Sequence, residues 1–166
     1  MPLTVECAKR SSILPLLMDQ VFKKFTRESS GSLTKRERRL LFVELNALLN
    51  KSLLERALRL LDEWIFVVYY SQNRLNSIVE LSSKRKKLDV VRVIPDINYC
   101  KCGFFQRSVL QLTGENSDRC DPEITCEHVL AVRLHHVLNR QCSKQVLSSD
   151  DFMAYLCDVF EDQAET

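Results

Sequence analysis

The chain is 166 residues long, one domain's worth, with 45% apolar and 28% charged residues, which excludes a disordered tail and a fibre. Its longest unbroken apolar run is Trp64 to Tyr70, seven residues, against the roughly 20 that a membrane-spanning helix needs. The formal net charge is only +2, but residues 1–94 hold 18 basic against 10 acidic side chains and residues 141–166 hold 1 against 6.

Two common nucleotide routes are closed. With Gly31, Gly103 and Gly114 alone, neither G-x-x-x-x-G-K nor G-x-G-x-x-G can be written. The run Ile13-Leu14-Pro15-Leu16-Leu17-Met18 is too short for a signal-peptide core and is broken by proline, so the chain is read as intracellular.

Three helices are expected before residue 63. Over residues 11–27, Leu14, Leu17, Val21, Phe22 and Phe25 fall at helical spacing, and Glu28 to Ser32 ends the run. Thr34-x-x-Glu37 is a capping box for a second helix burying Leu41, Leu45, Leu48 and Leu49. Ser52-x-x-Glu55 opens a third, with Leu54, Ala57, Leu58 and Leu61 inward. Some of these leucines cover the sheet, and part of one stripe is free for a partner.

The pattern then changes to β-branched and aromatic. Trp64 to Tyr70 predicts a strand buried on both faces, Ser71-Gln72-Asn73 a turn, Leu75 to Leu81 a second strand, Ser82 to Lys87 a basic turn and Leu88 to Ile94 a third. Together they make an antiparallel meander ended by Pro95. Residues 127–140 predict a helix with Leu130, Leu134, Val137 and Leu138 on one face. Ser148-x-x-Asp151 caps a last helix with Phe152, Leu156, Val159 and Phe160 inward, and residues 161–166 form a frayed tail. The expected fold class is α+β: a helical region at 1–62, then a small antiparallel three-stranded sheet with a zinc-stapled strand–helix unit and a C-terminal helix at 63–160, in one compact unit.

The seven cysteines carry most of the functional information. An odd number in a reducing compartment points to metal or redox chemistry, not disulfides. Cys100 and Cys102, two apart on an extended segment, direct their sulfurs to one side. After a gap of 23 residues, Cys126 and His128 stand at the start of the helix. Three thiolates and an imidazole form the tetrahedral shell of a closed structural zinc site, and the positive helix terminus favours the thiolate at Cys126. Cys120 is the competing ligand, replacing Cys126. Cys7, Cys142 and Cys157 are expected to fill space in the core.

Other chemistries fail on spacing. His135 lies seven residues after His128, about 10.5 Å along a helix, so one ion cannot hold both. Position 132 is valine, so H-E-x-x-H is absent, as is the zinc-deaminase pattern. Four protein ligands leave no open position for water, so the site is structural and not catalytic. A cysteine enzyme using Cys126 and His128 would need a free nucleophile, which a filled site removes. Lys35, Arg36, Arg38 and Arg39, and Lys84 to Lys87, are solvated faces or phosphate contacts, and the second run also suits a nuclear import signal. No aromatic residues are interleaved with either run, which argues against an autonomous single-strand binder.

The C-x-C…C-x-H pattern resembles the SWIM zinc finger. Phe105-Gln106-Arg107-Ser108-Val109-Leu110 resembles the short apolar segment after the C-x-C in one small SWIM family, and Cys126-Glu127-His128-Val129-Leu130-Ala131-Val132 its C-x-H-L-L-A-V helix opening. The strand block 63–94 and the segment from Ser148 to Leu156 are similar in order and length. That family is the SWIM-domain subunit of the Shu complex, and the resemblance runs over about residues 60–157. It implies a nuclear, non-enzymatic protein with one zinc ion on Cys100, Cys102, Cys126 and His128. It further implies an obligate heterodimer with a RecA-like recombinase paralog. The complex would promote recombinase filament assembly on single-stranded DNA in double-strand break repair, replication-fork repair and meiosis. The alternative is a SWIM-type DNA-binding or transcription-related factor acting alone.

Overall fold

A computed structural model describes residues 5–27, 31–85, 89–95, 97–110 and 123–160. Three helices come first: α1 (Val5–Arg27), α2 (Lys35–Leu48) and α3 (Lys51–Glu63). Helix α1 begins at Val5, before the expected residue 11, and runs through Pro15. Its inward stripe is also rotated from the expected one. Met18, Phe22 and Phe25 are buried, while Leu17 remains 36% exposed. Helix α2 starts at the expected capping box: Thr34 Oγ1 accepts from the Glu37 N–H at 3.2 Å, and the Thr34 N–H donates to Glu37 Oε2 at 2.7 Å. Helix α3 starts differently from the Ser52-x-x-Glu55 expectation. Asn50 is its N-cap, with Oδ1 accepting from the Ser52 N–H at 2.9 Å. Leu53, Leu54, Ala57 and Leu61 are the residues α3 buries.

The sheet has four strands, not three, and is mixed, not purely antiparallel. Its strands are β1 (Trp64–Tyr70), β2 (Ser77–Ser83), β3 (Val90–Val93) and β4 (Ser143–Val146), in the order β3-β2-β1-β4. The β1–β2 and β2–β3 pairs are antiparallel, with Val68 opposite Val79 and Glu80 opposite Arg92. Strand β4 joins the far side of β1 in parallel, with Val68 opposite Lys144. The turn after β1 is longer than expected. Asn73 Oδ1 accepts from the Leu75 N–H, Arg74 takes a left-handed φ of 57°, and Leu75 is left exposed, so β2 starts at Ser77.

Strand β1 is not buried along its whole length. Phe66 and Tyr69 are buried but Ile65 is exposed. One sheet face, with Phe66, Val79, Leu81 and Val93, joins the main core with the three N-terminal helices and α5 (Glu127–Val137). That core runs from Met18 to Val137 and so spans both the helical region and the sheet. On the other face, helix α6 (Ser149–Phe160) seats Phe152 and Val159 against Ile78 in a smaller cluster. It leaves Phe160 half exposed although that ring lies 5.3 Å from Tyr99. Arg92 fixes α6 to the sheet: it pairs with Glu80 at 2.9 Å and with Asp158, and lies 4.2 Å over the Tyr155 ring.

Helix α5 ends at Val137, short of the expected 140. It buries Val129, Leu130, Ala131, Val132, Leu134, His135 and Val137, so it is enclosed on nearly every side and not on one face alone. Between β3 and α5, a short helix α4 (Gly103–Phe105) runs into a π-helical turn over Gln106–Leu110. Among the described residues, no helix is long and apolar enough to cross a membrane.

Candidate metal centre

The C-x-C and C-x-H pairs are brought to one point by three local devices. Cys100 forms an isolated antiparallel bridge with Val93, which extends the sheet edge toward the site. Two residues on, Cys102 is the N-cap of α4: its sulfur accepts the Phe105 N–H at 3.4 Å and its carbonyl accepts the Gln106 N–H at 3.1 Å. Gln106 closes the loop by donating Nε2 to the Cys100 carbonyl at 3.1 Å. On the other side Cys126 is the N-cap of α5. Its carbonyl accepts the Leu130 N–H, but its sulfur makes no capping bond, so the thiol is free for another partner.

A cross-link holds the two pairs together. Asn98 donates Nδ2 to the Ile124 carbonyl at 2.7 Å, tying the segment before Cys100 to the segment before Cys126. Arg56 on α3 lies 3.8 Å from Glu127 and 5.3 Å over the Phe104 ring. Sequence reasoning named the four donors and none of these supports. Asn98 and Gln106 are polar residues in unpatterned segments, and only the closed loop gives them partners.

The sulfurs of Cys100, Cys102 and Cys126 and a ring nitrogen of His128 all lie within 4.8 Å of one another. These four residues could hold one metal ion. Cys100 and Cys126 are buried, and Cys102 and His128 half-buried. The donor set passes an independent test of fit. His128 Nδ1 is buried and makes no hydrogen bond, and an orphaned buried nitrogen costs free energy unless it has a partner. A ring contact with Trp64, at 5.8 Å and 60°, steadies the imidazole.

The three thiols interact strongly with one another. Hydrogen bonds from Cys100 and then Cys126 hold Cys102 far below the ordinary thiol range. Cys100 is pushed up to about 12, first by its bond to Cys102. Cys126 is raised as well, by its bonds to Cys100 and Cys102. Thiolates packed this closely repel one another. Three thiolates at this separation require a neutralising cation, and metal uptake would release protons.

The remaining candidates stand apart. Cys120 lies outside the described residues. Cys142 is half-buried and Cys157 is exposed on α6, so Cys157 does not fill core space as expected. The face of α6 that carries it turns away from the Phe152–Val159 row. His135 is buried and stacks on Phe66 at 4.4 Å and 17°. Lys84 donates to the Asp62 carbonyl and Arg85 lies 3.8 Å from Glu63, so this end of the second basic run is held against α3. Residues 86 and 87 of that run lie outside the described residues.

Burial also lowers the pKa of His135. Its unfolded value is about 6.5, so below that pH the unfolded chain binds a proton that the folded chain resists. The stability that His135 contributes is full above pH ~6.5 and declines as the solution is acidified. His135→Gln is therefore expected to flatten the loss of stability between roughly pH 7 and 5, read as urea midpoints of both proteins. Parallel pH profiles would refute the assignment.

No protein-family model, no curated protein and no solved structure matches the chain.

Proposed function

We propose that the chain is a zinc-stapled, non-enzymatic subunit of a Shu-type complex. In this reading it pairs with a RecA-like recombinase paralog in the nucleus. The pair promotes assembly of recombinase filaments on single-stranded DNA during homologous recombination. The observation that carries the reading is the meeting of a C-x-C and a C-x-H pair at one point, with three cysteine sulfurs and one imidazole nitrogen within 4.8 Å. Such a set suits zinc over harder ions, and four protein ligands leave it no vacant position for chemistry. The resemblance of residues 105–110 and 126–132 to the SWIM subunit of that complex supplies the biological context.

The zinc ion would be held by Cys100, Cys102, Cys126 and His128, and its role would be to fasten the sheet edge to α5. The test is co-expression of the full chain with the RecA-like paralog of its own organism. A soluble, stoichiometric, zinc-containing complex that accelerates filament assembly on single-stranded DNA is the expected result. A chain that ignores the paralog and binds duplex DNA tightly by itself would establish the solitary DNA-binding factor instead.

A further inference from the structure

A surface helix normally presents polar residues outward. The hairpin of α1 and α2 does not. Ile13 is 50% exposed and Leu17 36% on α1, while Leu40 is 44% and Val43 60% on α2. Ile13, Leu17 and Gln20 share one side of α1 by helical spacing, and Leu40, Val43 and Ala47 share one side of α2. Leu17 and Val21 meet Ala47 and Leu48 in a shallow groove of about 390 Å³, where Lys24 and Glu44 pair at 2.7 Å. Exposed apolar side chains of both helices stand beside this groove, the arrangement that receives a third helix.

The charge at one end of this face says what kind of helix. Lys35, Arg36, Arg38 and Arg39 occupy the first turns of α2, the positive end of its dipole, where cations oppose helix formation. Arg38 has a local use, bonding the Leu33 carbonyl and Ser32. Glu37 is engaged by Thr34. Among the described residues no acid pairs with Lys35, Arg36 or Arg39, all of which are exposed. Arg36 and Arg39 stand four residues before Leu40 and Val43 respectively, so charge and apolar row share a face.

We propose that the outer face of the α1–α2 hairpin docks an amphipathic helix of a partner protein. The apolar side of that helix would lie along Leu17, Leu40 and Val43, and its acidic end would meet Arg36 and Arg39. A nucleic acid would satisfy the arginines but leave Leu17 and Val43 in water. A second copy of this face would bring further cations and, in Glu44, an acid that is already paired. The inference deepens the proposed function, since it rests on the chain working in a heteromeric complex, and it adds the surface and the chemistry of the contact.

The test places a photo-crosslinking amino acid at position 43 of the full-length chain in its own cells, with position 73 in the β1–β2 turn as control. The expected result is a position-43 adduct whose crosslinked peptide is an acidic amphipathic helix of another protein. Combining it with Arg36→Glu and Arg39→Glu should lower the adduct yield by about tenfold or more, as expected for desolvated charge pairs at an interface. Metal content should not change, and thermal melting should not fall, since acids suit this end of α2. Adducts to nucleic acid, to a second copy or to the chain itself overturn the proposal, as does an adduct indifferent to the charge reversal. The two readings fail separately. No position-43 adduct while the recombinase paralog still co-purifies removes this surface alone. An acidic helix from a protein unrelated to recombinases keeps the surface and removes the Shu-type assignment.

Discussion

If the cluster holds an ion as proposed, Cys126→Ser is expected to abolish metal binding and to loosen residues 97–110 from α5. The sulfur belongs to a fully buried residue at the N-cap of α5, where it makes no capping bond, so its only assigned partners are those of the cluster. A serine hydroxyl is a harder and far less acidic donor, and three ligands would remain. Structural zinc contributes an apparent ~10–16 kcal/mol at neutral pH, while a whole domain is stable by roughly 5–15 kcal/mol. Under the proposed zinc assignment, loss of the ion removes a contribution as large as a whole domain's net stability. Metal per chain and the thermal melt are the measurements, and a strong chelator added to the unmodified chain should reproduce the melt of the variant. Cys142→Ser, half-buried and outside the cluster, should keep one ion per chain and shift stability by about 1 kcal/mol or less. A Cys126→Ser protein that retained a stoichiometric ion would show that the ligand set is wrong.

What the sequence made legible here was local chemistry. The Thr34–Glu37 box and the Ser148–Asp151 cap are pairs whose partners lie three residues apart, so their hydrogen bonds follow from spacing alone. The meeting of Cys100, Cys102, Cys126 and His128 was legible for the same reason: each pair has a fixed spacing, and a shared ion would impose a common target. Properties that depend on distant neighbours were not. Strand β4 is Ser-Lys-Gln-Val, exposed throughout, with no alternation to mark it, and it exists because the free edge of β1 offers it hydrogen bonds. In α1 the periodicity fits a stripe through Leu17 as well as one through Met18, and only the placement of α2 and α5 buries Met18. Asn50 and not Ser52 caps α3; both residue types can cap, and the difference of two residues is settled by where the chain leaves α2. Helix α4 and its π-helical turn carry no pattern of their own, since Cys102 caps them with the same sulfur that belongs to the cluster.

That double use of Cys102 makes Phe105 the residue that separates packing from ligation. Phe105 is 1% exposed and its ring lies 5.7 Å from Tyr99, edge to face, inside the main core. Its backbone N–H, not its side chain, donates to the Cys102 sulfur. Phe105→Ala deletes the ring and keeps the N–H and the helical φ/ψ, so the sulfur loses no hydrogen bond. Emptying a fully buried phenylalanine site costs about 3–5 kcal/mol in lost burial and residual cavity. The expected result is a destabilised protein, by urea unfolding of the metal-loaded chain, that still binds one ion per molecule. Phe105→Leu, which refills most of the volume, should recover more than half of the loss. A Phe105→Ala protein that lost its ion as completely as Cys126→Ser would mean that the ring, and not the backbone, holds Cys102 in place. One that lost less than about 1 kcal/mol would mean that α4 is peripheral to the core.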